Sequence, residues 1–459
     1  MLSAPGLPGC GAPTPRAGDA GPMLDAAPAL DATDAGAADA DAPAVDAGTG
    51  ALDAGPPDAG MPGPPTSGPL LYPFDRAHSP LPLDVADALR DLAARGPSQR
   101  DDVFAKVGDS ITATPTFLQC FAGTRVDLGG RDALQATIDH FRAGDAAGTT
   151  PFERRSVAAV SGWSASAALA GSPSPLTQEL NAVHPRFASL MFGTNDAGFV
   201  DLDSYGRNMT ALVDAMLAVG TLPVLSSIPP RDDSASADAR VPVFNAVVRA
   251  LAQSRGLPFV DFHRALLPLA RHGLASDGVH PQTSTLGACN LTPAALTMGG
   301  NVRNLLVLEA LDRLRRTVVL GDDALDAEAP RLRGTGTNAD PFAVPSLPFA
   351  GHADTRVEGE RAVARWDACS MADEGGPEVR FRFRLDAPTR ITAAVSSGRG
   401  ADLDIHLVPA RGGPADCLVR DNRQVARDLA AGDWDVVVDT FVGRGGALPG
   451  ELFVAILPG

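Results

Sequence analysis

Ser110 follows Gly108 and Asp109 where the apolar run "DVFAKVG" (residues 102–108) ends. A strand that closes in Gly-Asp-Ser can simply be turning, since all three are favoured turn residues. The same turn can hold up a nucleophile, and a serine hydroxyl then needs a base. Of the eight histidines, His280 in "SDGVHP" is the most suggestive, because Asp277 lies three positions before it. If the chain makes one helical turn there, side chains at i and i+3 share a face. The carboxylate can then hold the imidazole in the tautomer that accepts a serine proton. The plain alternative is that Asp277 and His280 are solvated loop residues.

Two further blocks offer groups for a developing oxyanion. In "FGTND" (192–196), Asn195 can donate amide hydrogens, where one donor is typically worth about 3 kcal/mol; the alternative is an Asx turn. In "VSGWSAS" (160–166), Gly162 permits a close backbone approach and its N–H can point at the same oxygen. The same stretch holds a rival nucleophile, "GWSAS", one glycine short of the Gly-x-Ser-x-Gly elbow. The missing glycine matters because that elbow is sterically tight. His140, His263 and His272 read as surface or loop residues. There is no His-Glu-x-x-His or similar ligand cluster in the sequence, so no metal and no cofactor is expected.

Short apolar runs carry these turns: "DVFAKVG", "FASLMFG" from Phe187, "LPVLSSIPP" from Leu222 and "LPFVDF" from Leu257. Helical patterns lie between them, at Asp84 to Gly96 with Gly96 as C-cap, Arg207 to Val219, Val243 to Arg255, and from Asn301. Strands alternating with helices predict a parallel sheet covered on both faces, with ligands at the carboxyl ends of the strands. Ser110 and Asn195 both fall at such ends. Beyond Arg316 the rhythm changes. "RLRGTGTNADPFAVPSLPF" (331–349) reads as linker, and "VRFRFRLD", "RITAAVSS", "DLDIHLVP" and "WDVVVDTFVG" alternate at period two, predicting an all-β sandwich.

The first 68 residues belong to neither pattern. Between Cys10 and Gly68 there are nine Asp, one Arg and no Glu or Lys, with Asp-Ala-Gly repeated five times. Such a segment cannot repay the entropy of ordering and reads as a disordered tether. The net charge of −17 and pI near 4.8 argue against a nucleic-acid partner or an anionic membrane surface, both of which need basic patches. No apolar run reaches the roughly 18 residues of a membrane span. Leu7-Pro8-Gly9-Cys10 resembles a bacterial lipobox, which implies lipidation of Cys10 and a membrane anchor; the alternative is an isolated surface cysteine. Cys120, Cys289, Cys369 and Cys417 remain, an even number that permits three pairings and suits export to an oxidising compartment, with four free thiols as the alternative.

Taken in order, "VGDSIT", "VSGWS", "FGTND" and "SDGVHP" resemble the SGNH or GDSL hydrolase family over Val103 to Arg316. The resemblance implies a three-layer α/β/α, flavodoxin-like domain with a parallel sheet. It implies Ser110 as nucleophile, His280 as general base and Asp277 as its orienting carboxylate, with the Ser110 N–H, the Gly162 N–H and the Asn195 side chain as oxyanion hole. Asp109 is expected to shape the turn. The segment "PQTSTLGACNLTPAALTMGG" (281–300) is longer than in many relatives and puts Cys289 close after the base, as Cys120 lies close after the nucleophile. A Cys120–Cys289 disulfide clamping the two loops is expected.

"ADLDIHLV" from Ala401 and "LAAGDWDVVVDTFVG" from Leu429 resemble the pre-peptidase C-terminal sandwich of secreted bacterial enzymes. That resemblance implies a Cys369–Cys417 staple and a spacer or adhesive module; Asp402 and Asp404 are read as a solvated strand edge or a cation site. The expected organisation is therefore tether 1–68, hydrolase domain 69–323, linker 324–348 and β-sandwich 349–459. The expected activity is hydrolysis of small acyl esters, carbohydrate esters among them. The rival is a catalytically silent glycan-binding or structural surface module.

Overall fold

The computed structural model describes residues 68–398 and 400–459. Cys10 and the Asp-Ala-Gly repeats lie outside the described residues. Four parallel strands, β1 (Arg100–Gly108), β2 (Pro185–Met191), β3 (Leu222–Ser226) and β4 (Phe259–Val260), pair in sequential order. A parallel bridge from Ala159 to Gly108 adds a short neighbour on the outer side of β1. The chain thus moves outward after β1 and then crosses back to β2. β1 is where the strand order reverses, the position at which doubly wound sheets bind ligands.

Helices α1 (Leu83–Ala94), α2 (Ser110–Ala113), α3 (Gln135–Ala143), α4 (Pro175–Val183), α5 (Asp196–Phe199), α6 (Leu202–Ala218), α7 (Ala235–Asp238), α8 (Val241–Arg255), α9 (Phe262–Leu266) and α10 (Gly299–Leu314) complete this unit. The sheet is buried on both faces, and β2 and β3 are buried at every position. This explains their continuous apolar runs. α1 closes on Arg95 rather than Gly96, whose lack of a side chain instead lets the turn lie against the Val219 carbonyl. α6 begins five residues before the predicted Arg207: Asp201 caps it by accepting from the Ser204 N–H. Gly206, which masks the helical pattern, lies where a Cβ would meet the Ser396 hydroxyl at 1.9 Å.

Ser396 belongs to the second half of the chain. One sheet has the order β10 (Val419–Asp421), β9 (Leu403–Pro409), β12 (Gly432–Thr440), β7 (Val379–Leu385), β5 (Phe342–Ala343). The other has β11 (Gln424–Leu429), β8 (Thr389–Ser397), β15 (Glu451–Pro458), β6 (Phe349–Asp354), and a small hairpin joins β13 (Val442–Gly443) to β14 (Gly446–Ala447). All pairs are antiparallel except β5 with β7. β9 lies inside its sheet, and Asp404 is buried against Arg420 rather than on a solvated edge.

The sandwich has its own core, but Ala350, Ala394, Phe453, Ala455 and Leu457 join the core of the α/β unit. Gln253 of α8 donates to the Ala350 carbonyl at 3.0 Å, and the Ser397 N–H donates to Asp203 of α6 at 2.7 Å. The stretch before β6 is ordered too: the Leu332 N–H donates to the Pro69 carbonyl and the Leu71 N–H to the Pro330 carbonyl. Among the described residues, no helix is long and apolar enough to cross a membrane.

Candidate active site

β1 ends at Gly108, and Asp109 begins α2 by accepting from the Ile111 N–H at 3.0 Å. Ser110 therefore occupies the first helical position, where a backbone N–H has no intrahelical acceptor. His280 Nε2 stands 2.9 Å from the Ser110 Oγ, and His280 Nδ1 stands 2.7 Å from Asp277 Oδ2. The chain makes no helical turn at Asp277–His280. Asp277 Oδ1 instead accepts from the N–H groups of Val279 and His280, both at 3.0 Å, in an Asx-type turn with Gly278 at φ +69°. Partial burial works against ionisation of Asp277, but those two N–H groups and the imidazole outweigh it and hold the carboxyl at about 2. One short side chain both folds the loop and orients the ring.

The remaining two blocks meet beside this pair. Asn195 Nδ2 donates to the Trp163 carbonyl at 2.9 Å, which ties "FGTND" to the Gly162 loop and, among the described residues, leaves the second amide hydrogen without a partner. Gly162 has φ +80° and open space where a side chain would project. Asp196 completes the tie by accepting from the Ala165 N–H at 3.1 Å; its burial raises its carboxyl to about 6 against that hydrogen bond. The rival Ser164 pairs with Ser166 at 3.0 Å rather than with an imidazole. His272 forms a second histidine–carboxylate pair with Asp232 at 2.8 Å, without a serine, while His140 bonds the Asp101 carbonyl. His263 lies on α9 rather than in a loop and is partly buried, and that burial lowers its pKa.

Support for both loops comes from α10. Asn304 accepts from the Leu118 N–H at 2.9 Å and donates to the carbonyls of Thr116 at 2.9 Å and Ala288 at 3.0 Å. It therefore joins the loop after Ser110 to the loop after His280. The Cys120–Cys289 disulfide joins the same two loops covalently, and Cys369–Cys417 closes the second bridge. Arg303, buried beneath α2, donates to the Ile111 carbonyl and to Thr112 Oγ1 and stacks on Phe117 at 3.8 Å. Burial lowers its pKa to about 9 against the attraction of Asp109, whose own carboxyl is raised by burial.

Arg303, Asn304 and Asp196 carry no signature of their own in the sequence. The first two sit in a helix that also carries Asn301, Glu309, Asp312 and Arg313, so polarity alone does not single them out. A cavity of about 140 Å³ lies between these elements, lined by Ile111, Phe117, His280, Pro281 and Arg303 among others. His280 and Asp277 are about half exposed, so the site is open on one side.

Residues 107–284 match the GDSL-like lipase/acylhydrolase family. No curated protein matches the chain. Among solved structures, a GDSL-like lipase from Bacteroides thetaiotaomicron is 15% identical, with 50% of this chain and 98% of that one covered and a TM-score of 0.31. An acetylxylan esterase from Geobacillus stearothermophilus is 17% identical, with 46% and 92% covered and a TM-score of 0.29. A psychrotrophic esterase from Pseudoalteromonas sp. is 15% identical, with 46% and 97% covered and a TM-score of 0.28. The family match spans all four ordered blocks, from the turn at Ser110 to the loop of His280, and over residues 107–284 the α/β unit is similar to the GDSL-like lipases and acylhydrolases, which are ester hydrolases of the SGNH type.

Proposed function

We propose that the chain hydrolyses carboxylic esters of short acyl groups, acetyl above all and carried on carbohydrate, through an acyl-enzyme on Ser110. The observation that carries this reading is the continuous line from Asp277 to His280 to the Ser110 hydroxyl, at 2.7 and 2.9 Å. His280 takes the Ser110 proton as Oγ attacks the ester carbonyl. The negative charge that develops on the carbonyl oxygen is received by the Ser110 N–H, the Gly162 N–H and the Asn195 side chain. Collapse breaks the ester C–O bond, and His280 returns the proton to the leaving alcohol. Water then attacks the acyl-enzyme with His280 again as base, releasing the carboxylic acid and free Ser110.

A short acyl chain suits the small cavity beside His280, and the open side leaves room for a bulky alcohol such as a sugar. Two disulfides favour an exported enzyme, anchored through Cys10 if that residue is lipidated.

Hydrolysis of p-nitrophenyl acetate, butyrate and octanoate by the full chain and by Ser110→Ala tests the reading. Turnover greatest on acetate and lost in the variant is expected. Equal turnover in both proteins would remove Ser110 as nucleophile. No turnover in either, with both folded, would favour a silent glycan-binding module.

A further inference from the structure

The second half of the chain brings together three buried ligand-type side chains that the ester chemistry does not use. His406 lies on β9, Asp439 on the adjacent β12, and Glu374 on the segment that crosses their outer face after Cys369. All three are fully buried. His406 Nε2 lies 2.9 Å from Glu374 Oε2 and 3.0 Å from Asp439 Oδ2. Yet His406 Nε2, Glu374 Oε2 and Asp439 Oδ1 make no hydrogen bond of acceptable direction. The single Nε2–H of an imidazolium is aimed at neither carboxylate, although both crowd its nitrogen.

The surroundings hold these atoms in place. Trp366 stacks on the His406 ring at 4.7 Å and donates Nε1–H to Asp439 Oδ2 at 2.6 Å. Arg420 occupies the other Glu374 oxygen, Oε1, at 3.2 Å and also pairs with Asp404. Such outer partners orient ligands in metal centres. Charge points the same way. Glu374, Asp439 and Asp404 bring three carboxylates against the one guanidinium of Arg420, a deficit that a dipositive ion would cancel with His406 neutral. A nitrogen-to-oxygen separation near 3 Å is also the distance between two ligands about 2.1 Å from one ion and about 90° apart, as in six-coordinate sites.

We propose that Glu374, His406 and Asp439 bind one divalent first-row transition-metal cation, through His406 Nε2 and one oxygen of each carboxylate. Mixed imidazole and carboxylate donors suit manganese or zinc. With every donor buried, the ion serves as a brace that fastens the Cys369–Cys417 loop to β9 and β12, and it enters during folding.

The test uses the full chain, unfolded in guanidinium with EDTA and refolded in EDTA, MnCl2 or ZnCl2. After desalting, metal per chain is measured by mass spectrometry, with the thermal midpoint and p-nitrophenyl acetate hydrolysis alongside. About one Mn2+ or Zn2+ per chain and a midpoint raised by roughly 5 °C or more are expected. His406→Gln and Asp439→Asn should each lower bound metal at least tenfold and leave the esterase rate unchanged. Less than a tenth of an ion per wild-type chain with both metals, and the same midpoint as in EDTA, would overturn the proposal and leave an imidazolium between two acids. This wild-type comparison decides even if the variants do not fold.

Discussion

Asp277 grips His280 at two points, through Oδ2 to the ring Nδ1 at 2.7 Å and through Oδ1 to the backbone N–H at 3.0 Å. Asp277→Asn separates the two grips. The amide oxygen can still accept the backbone N–H, so the loop should fold, but the amide nitrogen donates to Nδ1 and leaves the proton on Nε2. His280 then cannot accept from Ser110. We expect kcat on p-nitrophenyl acetate to fall about 10³- to 10⁴-fold with an unchanged thermal midpoint. A loss under tenfold would show that Asp277 only shapes the turn.

Asn195 spends one amide hydrogen on the Trp163 carbonyl. If the other serves the oxyanion, Asn195→Ala should lower kcat about 10²- to 10³-fold with little change in KM. A raised KM with kcat intact would instead assign the residue to substrate binding.

The Cys120–Cys289 bridge spans 169 residues of chain and ties together the loops that follow Ser110 and His280. Replacing both cysteines by serine should cost about 2–5 kcal/mol of stability, because a long loop regains freedom in the unfolded chain. It should also lower kcat by loosening both loops. Calorimetry and p-nitrophenyl acetate turnover, with and without reductant, report the two effects. Unchanged values in both would make the bridge incidental.

Lys106 is the only lysine of the chain, and its ammonium is buried with the Phe152 carbonyl as partner at 3.0 Å. Burial lowers its pKa from 10.5 to about 8, partly opposed by Glu179. Between those values the unfolded chain holds the proton and the folded chain has lost it, so stability from this group rises with pH from about 8 to about 10.5, by about 3 kcal/mol in all. The difference in unfolding free energy between wild type and Lys106→Met should therefore move toward wild type from pH 7.5 to pH 10. Guanidinium titrations at both values measure it, and a flat difference would mean that the ammonium stays hydrated.

The alternation of apolar runs with helical patterns, and then of single residues, was legible because each element buries one face at its own period. β1 to β4, α8, β7, β8, β9 and β12 lie where those periods place them. α6 was read short because Gly206 breaks the apolar rhythm for a reason outside the helix, the approach of Ser396.

Local chemistry determined the order and identity of the residues around Ser110. A turn residue, its neighbours and a nearby Asp-x-x-His are written along the chain, and the family resemblance that these ordered blocks carry names Ser110, Gly162, Asn195, Asp277 and His280 together. What joins distant segments was decided only in the folded chain. The grip of Asn195 on Trp163, the bridge made by Asn304 between two loops, the shared core of α8 with the sandwich, and the meeting of Glu374, His406 and Asp439 all depend on residues brought together by packing. No periodicity records such contacts, because burial constrains which faces turn inward and leaves open which faces meet.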